Sequence, residues 1–190
     1  MMGPFRLRGI LEASPEQQEA VRALRNHPDV RSAMYADHVI SPEEHAGWLL
    51  SLVGNGSREV FVLLDDEGEV AGLVSLTAID RANGRADWGF YMSPEAPKGL
   101  GSAALCRLIE FSFGELGLHK INGEVIEGNA ASLAVHRKLL FREEGFRRAQ
   151  VLRKENRLGV HLFGLTREDW LSGRGTLRPV SHRIELEAGT

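Results

Sequence analysis

A single cysteine, Cys106, is present in the 190 residues, so no internal disulfide can form and a reducing compartment is expected. It falls on the apolar side of a helical stretch, which marks it as a buried inert thiol rather than a nucleophile. Long apolar runs are missing as well: none approaches the roughly 18 to 20 residues that a membrane-spanning helix needs. The opening "MMGPFRLRGILEA" has neither a continuous apolar core nor a small-residue cleavage site, so no signal peptide is read and a cytoplasmic location is expected. Dense basic blocks are lacking outside "RGTLRPVSHR", and Lys plus Arg total 23 against 26 Asp plus Glu, a formal charge of −3 that makes nucleic acid a poor partner. His38 and His45 find no third ligand at a sensible spacing, so no metal site is expected. Neither repeats nor a linker divide the chain. It reads as one domain over residues 1–172, followed by a polar, weakly periodic tail over 173–190 that is expected to be mobile.

What is present is an ordinary globular composition, 43% hydrophobic and 26% charged, on a chain large enough to bury a core. "FRLRGILEA" alternates as a strand. Ser14 with Pro15 and Gln17 then opens a helix through "PEQQEAVRALRN", and Ser41 with Pro42 and Glu44 repeats the capping signature before "PEEHAGWLLSL", which stops at "GNG". Between them "HPDVRSAMYADHVI" reads as an irregular or single-turn connection. "REVFVLLD", "EVAGLVSLTAID" and "RADWGFYMS", separated by "DEG" and "ANG", form a three-stranded antiparallel meander. A helix through "LGSAALCRLIEFSFGEL", a strand "KINGEVIE", a helix through "NAASLAVHRKLLF", a hairpin "GFRRAQVLRK"/"RLGVHLFGLT" and a last helical turn "REDWL" complete the pattern. The order is β-α-α-β-β-β-α-β-α-β-β, a mixed α/β sheet protein.

The stretch "APKGLGSAAL" places Gly99 and Gly101 at the mouth of an apolar helix. Backbone that approaches a ligand closely favours glycine, and a helix start offers unpaired N–H groups and a positive dipole end, so a phosphate is the expected occupant. A nucleoside-triphosphate loop needs Gly-Lys-Ser/Thr at its end, whereas Lys98 precedes both glycines. Gly99, Gly101 and Ala104 satisfy the dinucleotide fingerprint G-x-G-x-x-G/A, with Glu124 at about the distance of its ribose-binding acid. In that fingerprint, however, a buried strand runs straight into the first glycine, and here "SPEAPK" with its two prolines intervenes.

Ala96-Pro97-Lys98-Gly99-Leu100-Gly101 resembles the acyl-CoA loop Q/R-x-x-G-x-G/A of the Gcn5-related N-acetyltransferases, which sits between the fourth strand and the third helix, and both neighbours match. Ala96 departs from the pattern and removes one side-chain contribution. "NAASLAVHRKLLFREEGF" is similar to the family's second signature through Asn129, Ser132, Lys138, Leu139 and Phe141, while His136 replaces its tyrosine and Leu140 its glycine. With the element order, the resemblance covers about residues 5–170. "LRNHPDVRSAMYADHVISPEEHAGWLLSL" also looks like the corresponding segment of PseH-type enzymes, which acetylate the 4-amino group of a UDP-linked deoxy-amino sugar in pseudaminic acid synthesis.

The resemblance implies the acyl-CoA N-acyltransferase fold and acetyl-CoA as co-substrate, with a small amine, a UDP-amino sugar, as acceptor; a homodimer is an assembly it allows. Cofactor contacts are then expected from Lys98, Gly99, Leu100, Gly101 and Ser102 on the diphosphate, from the main chain of Tyr91 and Met92 on the pantetheine arm, and from Asn129 and Ser132. Two readings stand for His136, an acid for the departing thiolate or a hydrogen-bonding replacement for tyrosine that gives no proton. Glu124 is the candidate base and Ser75 a candidate near the reacting centre, with Thr77 on the same strand face toward the acceptor. Arg25, Met34, Tyr35 and His45, with Tyr91, are expected at the nucleotide end, aromatics on the base and Arg25 near the phosphates. Rival readings are a polyamine, antibiotic amine or protein N-terminus as acceptor, and an acyl-CoA sensor without turnover.

Overall fold

The computed structural model describes residues 4–177 and 183–187. Strand β1 (Phe5–Gly9) leads through a short turn into helix α1 (Pro15–Asn26), the one-turn α2 (Pro28–Arg31) and α3 (Pro42–Leu52). The meander β2 (Glu59–Leu64), β3 (Val70–Asp80) and β4 (Arg85–Met92) follows, then α4 (Leu100–Glu110), β5 (Lys120–Ile126), α5 (Ala130–Lys138), the hairpin β6 (Arg142–Arg153) and β7 (Asn156–Thr166), and α6 (Arg167–Gly173). Both N-terminal helices start where their sequence says they should. Ser14 and Ser41 each accept from the N–H three residues on while Gln17 and Glu44 reach back to the cap amide, complete capping boxes in which each serine stabilises its helix by about 1 kcal/mol.

Among the described residues eight strands, the last being β8 (Ile184–Leu186), form one sheet in the order β6-β7-β5-β4-β3-β2-β1-β8. On one face the apolar side of α4, with Leu100, Leu105, Leu108 and Ile109 fully buried, packs over Leu76, Trp88, Ile121 and Phe163. On the other, Val21 of α1 and Leu52 of α3 cover Val60, Val62, Leu64 and Leu73. Each such Leu or Ile contributes roughly 1.5 to 3 kcal/mol on removal from water. Because β2 is covered on both sides, its apolar residues run continuously instead of alternating.

The tail differs from the expectation of a mobile segment: residues 184–186 form β8 (Ile184–Leu186), which pairs in parallel with β1 at the sheet edge. Glu187 accepts from Nε and Nη2 of Arg8 at 2.5 and 3.1 Å, and Ile184 and Leu186 pack against the α4 side of the core. Weak periodicity could not reveal a strand of three residues whose partner lies at the far end of the chain. The remaining tail residues, 178–182 and 188–190, lie outside the described residues.

Strand β4 pairs with β5 only over Arg85–Asp87 and Lys120–Asn122, although both strands continue beyond. The two edges part at Trp88 and Gly123. Their outer edges are satisfied by β3 and β7, so the inner edges carry unpaired main-chain groups facing one another across an opening in the sheet.

Candidate active site

That opening is a cleft of about 840 Å³ lined by Gly89, Phe90, Tyr91 and Met92 of β4 and by Glu124, Val125 and Ile126 of β5. Two open strand edges can take an extended amide-bearing chain between them, which suits a pantetheine arm. At its base the Asn122 Nδ2 donates to Asp87 Oδ1 at 3.0 Å, just where the strands stop pairing. Gly101, Asn129 and Ser132 border the cleft from α4 and α5.

The turn into α4 is built for close approach. Gly99 caps the helix with φ of 89°, a left-handed conformation that costs other residues about 1 to 2 kcal/mol. Gly101 lies so near β4 that an added Cβ would stand 3.2 Å from Met92 Cγ. Leu100 N–H donates to Pro97 and Ala103 N–H to Gly99, leaving the intervening amides of Gly101 and Ser102 at a helix start with no carbonyl of the helix behind them. Leu100 is fully buried and anchors the turn through its side chain, so its contribution to a ligand is through the main chain. Exposed Lys98 precedes the turn. These features fit a diphosphate.

His136 has a different place from that of a proton donor. It is 1% exposed, and Trp88 Nε1 donates to its Nε2 at 3.0 Å, so the ring proton sits on Nδ1 and is donated to the Ser132 carbonyl at 2.8 Å. Burial lowers its pKa, and no nitrogen is left for a thiolate. The ring abuts Phe163 and Phe141, and a Cβ on Gly123 would overlap its Nε2 and lie 2.6 Å from Trp88 Nε1. The pair therefore fills the point at which β4 and β5 separate. At the end of the same helix Leu140 keeps the backbone its missing glycine would have had, φ of 70°, with Phe141 N–H donating to His136 and Leu140 N–H to Arg137 in a Schellman closure.

On the opposite side of the sheet, Glu124 lines the cleft but is not a free base. The Tyr35 hydroxyl donates to its Oε2, and Arg147 Nη1 donates to Oε1 at 2.6 Å. Desolvation, together with that bond, raises the Tyr35 pKa above its usual value. Ser75 is buried and spends its hydroxyl on the Gly89 carbonyl at 3.2 Å, and Thr77 Oγ1 lies 3.5 Å from the Asp87 carbonyl; neither lines the cleft. His45 is corrected too: it is 8% exposed, donates from Nε2 to Gln18 O at 2.9 Å beside Trp48, and joins α3 to α1 away from the cleft. The sequence period placed these side chains on the right elements; the partners that use up their polar atoms come from other elements.

Met34 and Tyr35 border the cleft on the segment after α2, and Tyr91 borders it from β4. Arg25 lies behind them, donating from Nη2 to Ala36 O at 2.7 Å, and Arg153 of β6 donates from Nη1 to Tyr35 O at 2.8 Å. Arg25 Nη1 and Arg153 Nη2 are buried without a hydrogen-bond partner. Burial lowers the Arg25 pKa, the Tyr91 hydroxyl nearby opposes this, and Arg31 and Arg153 add to it as neighbouring positive charges. Sequence reasoning did not single out Trp88 as a site residue, nor Asp87, Asn122, Arg147 or Arg153. Trp88 and Asp87 stand in the same strand as Tyr91, but nothing local marks Arg153, which meets Tyr35 across 118 positions.

Residues 8–142 match the family model described as an acetyltransferase (GNAT) domain. The uncharacterized N-acetyltransferase p20 of Bacillus licheniformis is 30% identical over 122 residues, 64% of this chain and 68% of that protein. Acetyltransferase PseH of Campylobacter jejuni is 25% identical over 134 residues, 70% of this chain and 82% of that protein. The crystal structure of spermidine N-acetyltransferase from Vibrio cholerae in complex with CoA and spermine superposes with a TM-score of 0.79 at 21% identity, covering 88% of this chain and 98% of that one. Among the described residues, no helix is long and apolar enough to cross a membrane.

Proposed function

The chain belongs to the GNAT acetyltransferases and is an acetyl-CoA-dependent N-acetyltransferase, and within that chemistry we propose that its acceptor is a small amine carrying an anionic group, a UDP-linked 4-amino deoxy-sugar. The observation that carries this reading is the arginine pair beside the cleft. Two half-buried arginines are electrostatic neighbours, and each has one buried nitrogen without a partner although Arg153 Nε lies 3.9 Å from Asp37 Oδ2; an anion would satisfy those nitrogens. A diphosphate does so with bidentate, charge-assisted bonds, while a polyamine brings more positive charge to the same place. Met34, Tyr35 and Tyr91 offer apolar and aromatic surface for a base.

Acetyl-CoA supplies the activated acetyl group. The chain's own work is to hold that co-substrate between the open edges of β4 and β5, with its diphosphate on the α4 turn, and to present the amine on the other side of the sheet. An N–H on the inner edge of β4 polarises the thioester oxygen. The amine attacks the carbonyl carbon directly, the carbon–sulfur bond breaks, the nitrogen gives up its extra proton to solvent, and the thiolate takes its proton from solvent, because the buried His136 has none to give. Among the cleft carboxylates on the strands, Arg147 engages Glu124 and Lys120 engages Glu144, whereas Asp87 is held by the neutral Asn122. Asp87 thus has capacity left to meet the acceptor's ammonium form. A sugar amine flanked by electron-withdrawing oxygens is less basic than lysine, so little further base strength is required.

The test is a panel of UDP-4-amino sugars, spermidine and N-terminal peptides with acetyl-CoA, read by release of free CoA thiol. Turnover of a UDP-4-amino sugar, with Arg153→Met raising its KM and leaving the KM for acetyl-CoA in place, supports the assignment. Acetylation of spermidine or peptide with no activity on any UDP-amino sugar ends it. Thiol release from none of them favours a sensor.

A further inference from the structure

Where β4 and β5 separate, the two faces of the sheet differ in chemistry. One is polar: Asp87 accepts from Asn122 at 3.0 Å, and Glu124 accepts from Tyr35 and Arg147. The other is aromatic. The Trp88 indole stacks on Phe141 with ring centroids 4.3 Å apart, meets Phe90 edge-on at 5.4 Å and His136 edge-on at 5.2 Å, and donates to that imidazole. Phe163 lies against His136 at 4.8 Å. Gly123 of β5 has no Cβ, and the space such an atom would take is filled by the indole and the imidazole, so both rings reach across from β4 and α5 to the other side of the gap. Trp88, Phe90 and His136 line the cleft. Each ring is held on more than one side by its neighbours, and a close-packed block of this kind yields little to an intruding group.

We propose that this ring block, through the Trp88 indole, is the stop that restricts the acyl group of the thioester to acetyl. The arm of the co-substrate comes in from the α4 turn, where Gly101 lies against Met92, and Trp88 stands four residues deeper along β4, roughly 13 Å away. A thioester is planar. With its sulfur placed by the arm and its oxygen on a β4 N–H, the remaining substituent of the carbonyl carbon has one direction left, onward to where the strands meet. The amine approaches from the polar face, so the apolar alkyl group is turned to the aromatic one, where it strands no polar partner. A methyl group is accommodated there, as acetyl transfer requires. Every added methylene has to push against rings that are packed on one another and tied together by the Trp88–His136 hydrogen bond.

Binding of acyl thioesters without any acceptor tests this, so failure here is distinguishable from failure of the amino-sugar assignment. CoA, acetyl-CoA, propionyl-CoA and butyryl-CoA are titrated calorimetrically into the full chain and into Trp88→Phe, Trp88→Leu and His136→Phe, with the melting temperature of each recorded. The unaltered chain is expected to bind butyryl-CoA about tenfold or more weaker than acetyl-CoA, with propionyl-CoA between them, the range for added methylenes at a filled apolar site. Trp88→Phe and Trp88→Leu should bind butyryl-CoA about fivefold to tenfold tighter than the unaltered chain does, since two methylenes gain room to be buried, while their affinity for CoA stays in place. His136→Phe keeps a ring beside the indole and keeps the discrimination. A tryptophan with a purely structural role makes a different prediction: its loss weakens all four ligands together and raises the affinity of none. Equal affinity of the unaltered chain for acetyl-CoA and butyryl-CoA overturns the proposal. So does an equal loss of all four ligands in the Trp88 variants, or a discrimination that both variants leave unchanged.

Discussion

The indole Nε1 of Trp88 donates to Nε2 of His136 across 3.0 Å, and the opposite ring nitrogen donates to Ser132 O at 2.8 Å, so one buried imidazole bridges β4 and the first turn of α5. The bridge stands where β4 and β5 cease to pair. Both ring nitrogens of this histidine are thereby occupied inside the protein.

Replacing it by phenylalanine keeps a ring but leaves the Trp88 N–H and the Ser132 carbonyl unpaired. His136→Phe is expected to lose about 1 to 3 kcal/mol of stability, the usual range for a stranded buried polar group. The kcat of the folded fraction should stay within about twofold of the wild type, since no proton-transfer step is removed. Denaturant titration and single-turnover rates check both halves; a large drop in kcat at intact stability would restore His136 as the acid.

Acidification should weaken the fold through two histidines. Burial lowers the pKa of His136 and of His45 below the ordinary value of 6.5. The unfolded chain then binds protons that the native state refuses, so stability is full above about pH 6.5 and declines as pH falls from there toward the lowered native values. In His136→Phe this dependence should be shallower. Midpoints of urea unfolding between pH 8 and pH 5 provide the measurement.

At the α4 turn, Gly99→Ala places a side chain on a φ of 89° and should destabilise by about 1 to 2 kcal/mol. Gly101→Ala crowds Met92 Cγ at 3.2 Å, so β4 or the turn must move by a few tenths of an ångström. The expected signature for Gly101→Ala is a raised KM for acetyl-CoA with the acceptor KM unaltered, read from initial rates with each substrate varied in turn.

Truncation after residue 182 removes β8 and with it the Arg8–Glu187 pair and the cover over the α4 side of the core. A lowered melting temperature is expected. Glu187→Gln should reproduce only the ionic part: the hydrogen bond from Arg8 lowers the Glu187 pKa, so that contribution is present above the unfolded carboxylate's pKa and lost as pH falls through the lowered native value. Differential scanning of the three proteins at neutral and acid pH separates the ionic from the apolar share.

Most elements could be read along the chain because their signals are local. Ser14 and Ser41 announce helix starts, and "ANG" closes the β3–β4 hairpin at positions where the structure has it. Gly99 and Gly101 likewise mark a turn that needs a left-handed residue and a close neighbour. Strand β8 escaped, being three residues long and paired to the other end of the chain. The hydrogen-bond partners of several candidate site residues were not legible for a related reason: a hydroxyl, imidazole or carboxylate can be placed on a strand or helix face by its period, but whether its polar atoms are free depends on partners elsewhere. Ser75 meets Gly89, Glu124 meets Tyr35 and Arg147, and His45 meets Gln18.

By itself, the amino-acid sequence determined the order of helices and strands, the glycine turn and the resemblance to an acyl-CoA fold, since capping, turn chemistry and hydrophobic period act over a few residues. Tertiary structure alone decided that β4 and β5 separate at Trp88 and Gly123, that His136 is spent inside the protein, and that Arg25 and Arg153 stand together beside the cleft. Those outcomes depend on which surfaces meet when distant segments pack, and a buried polar atom is committed only by the neighbour that packing brings to it.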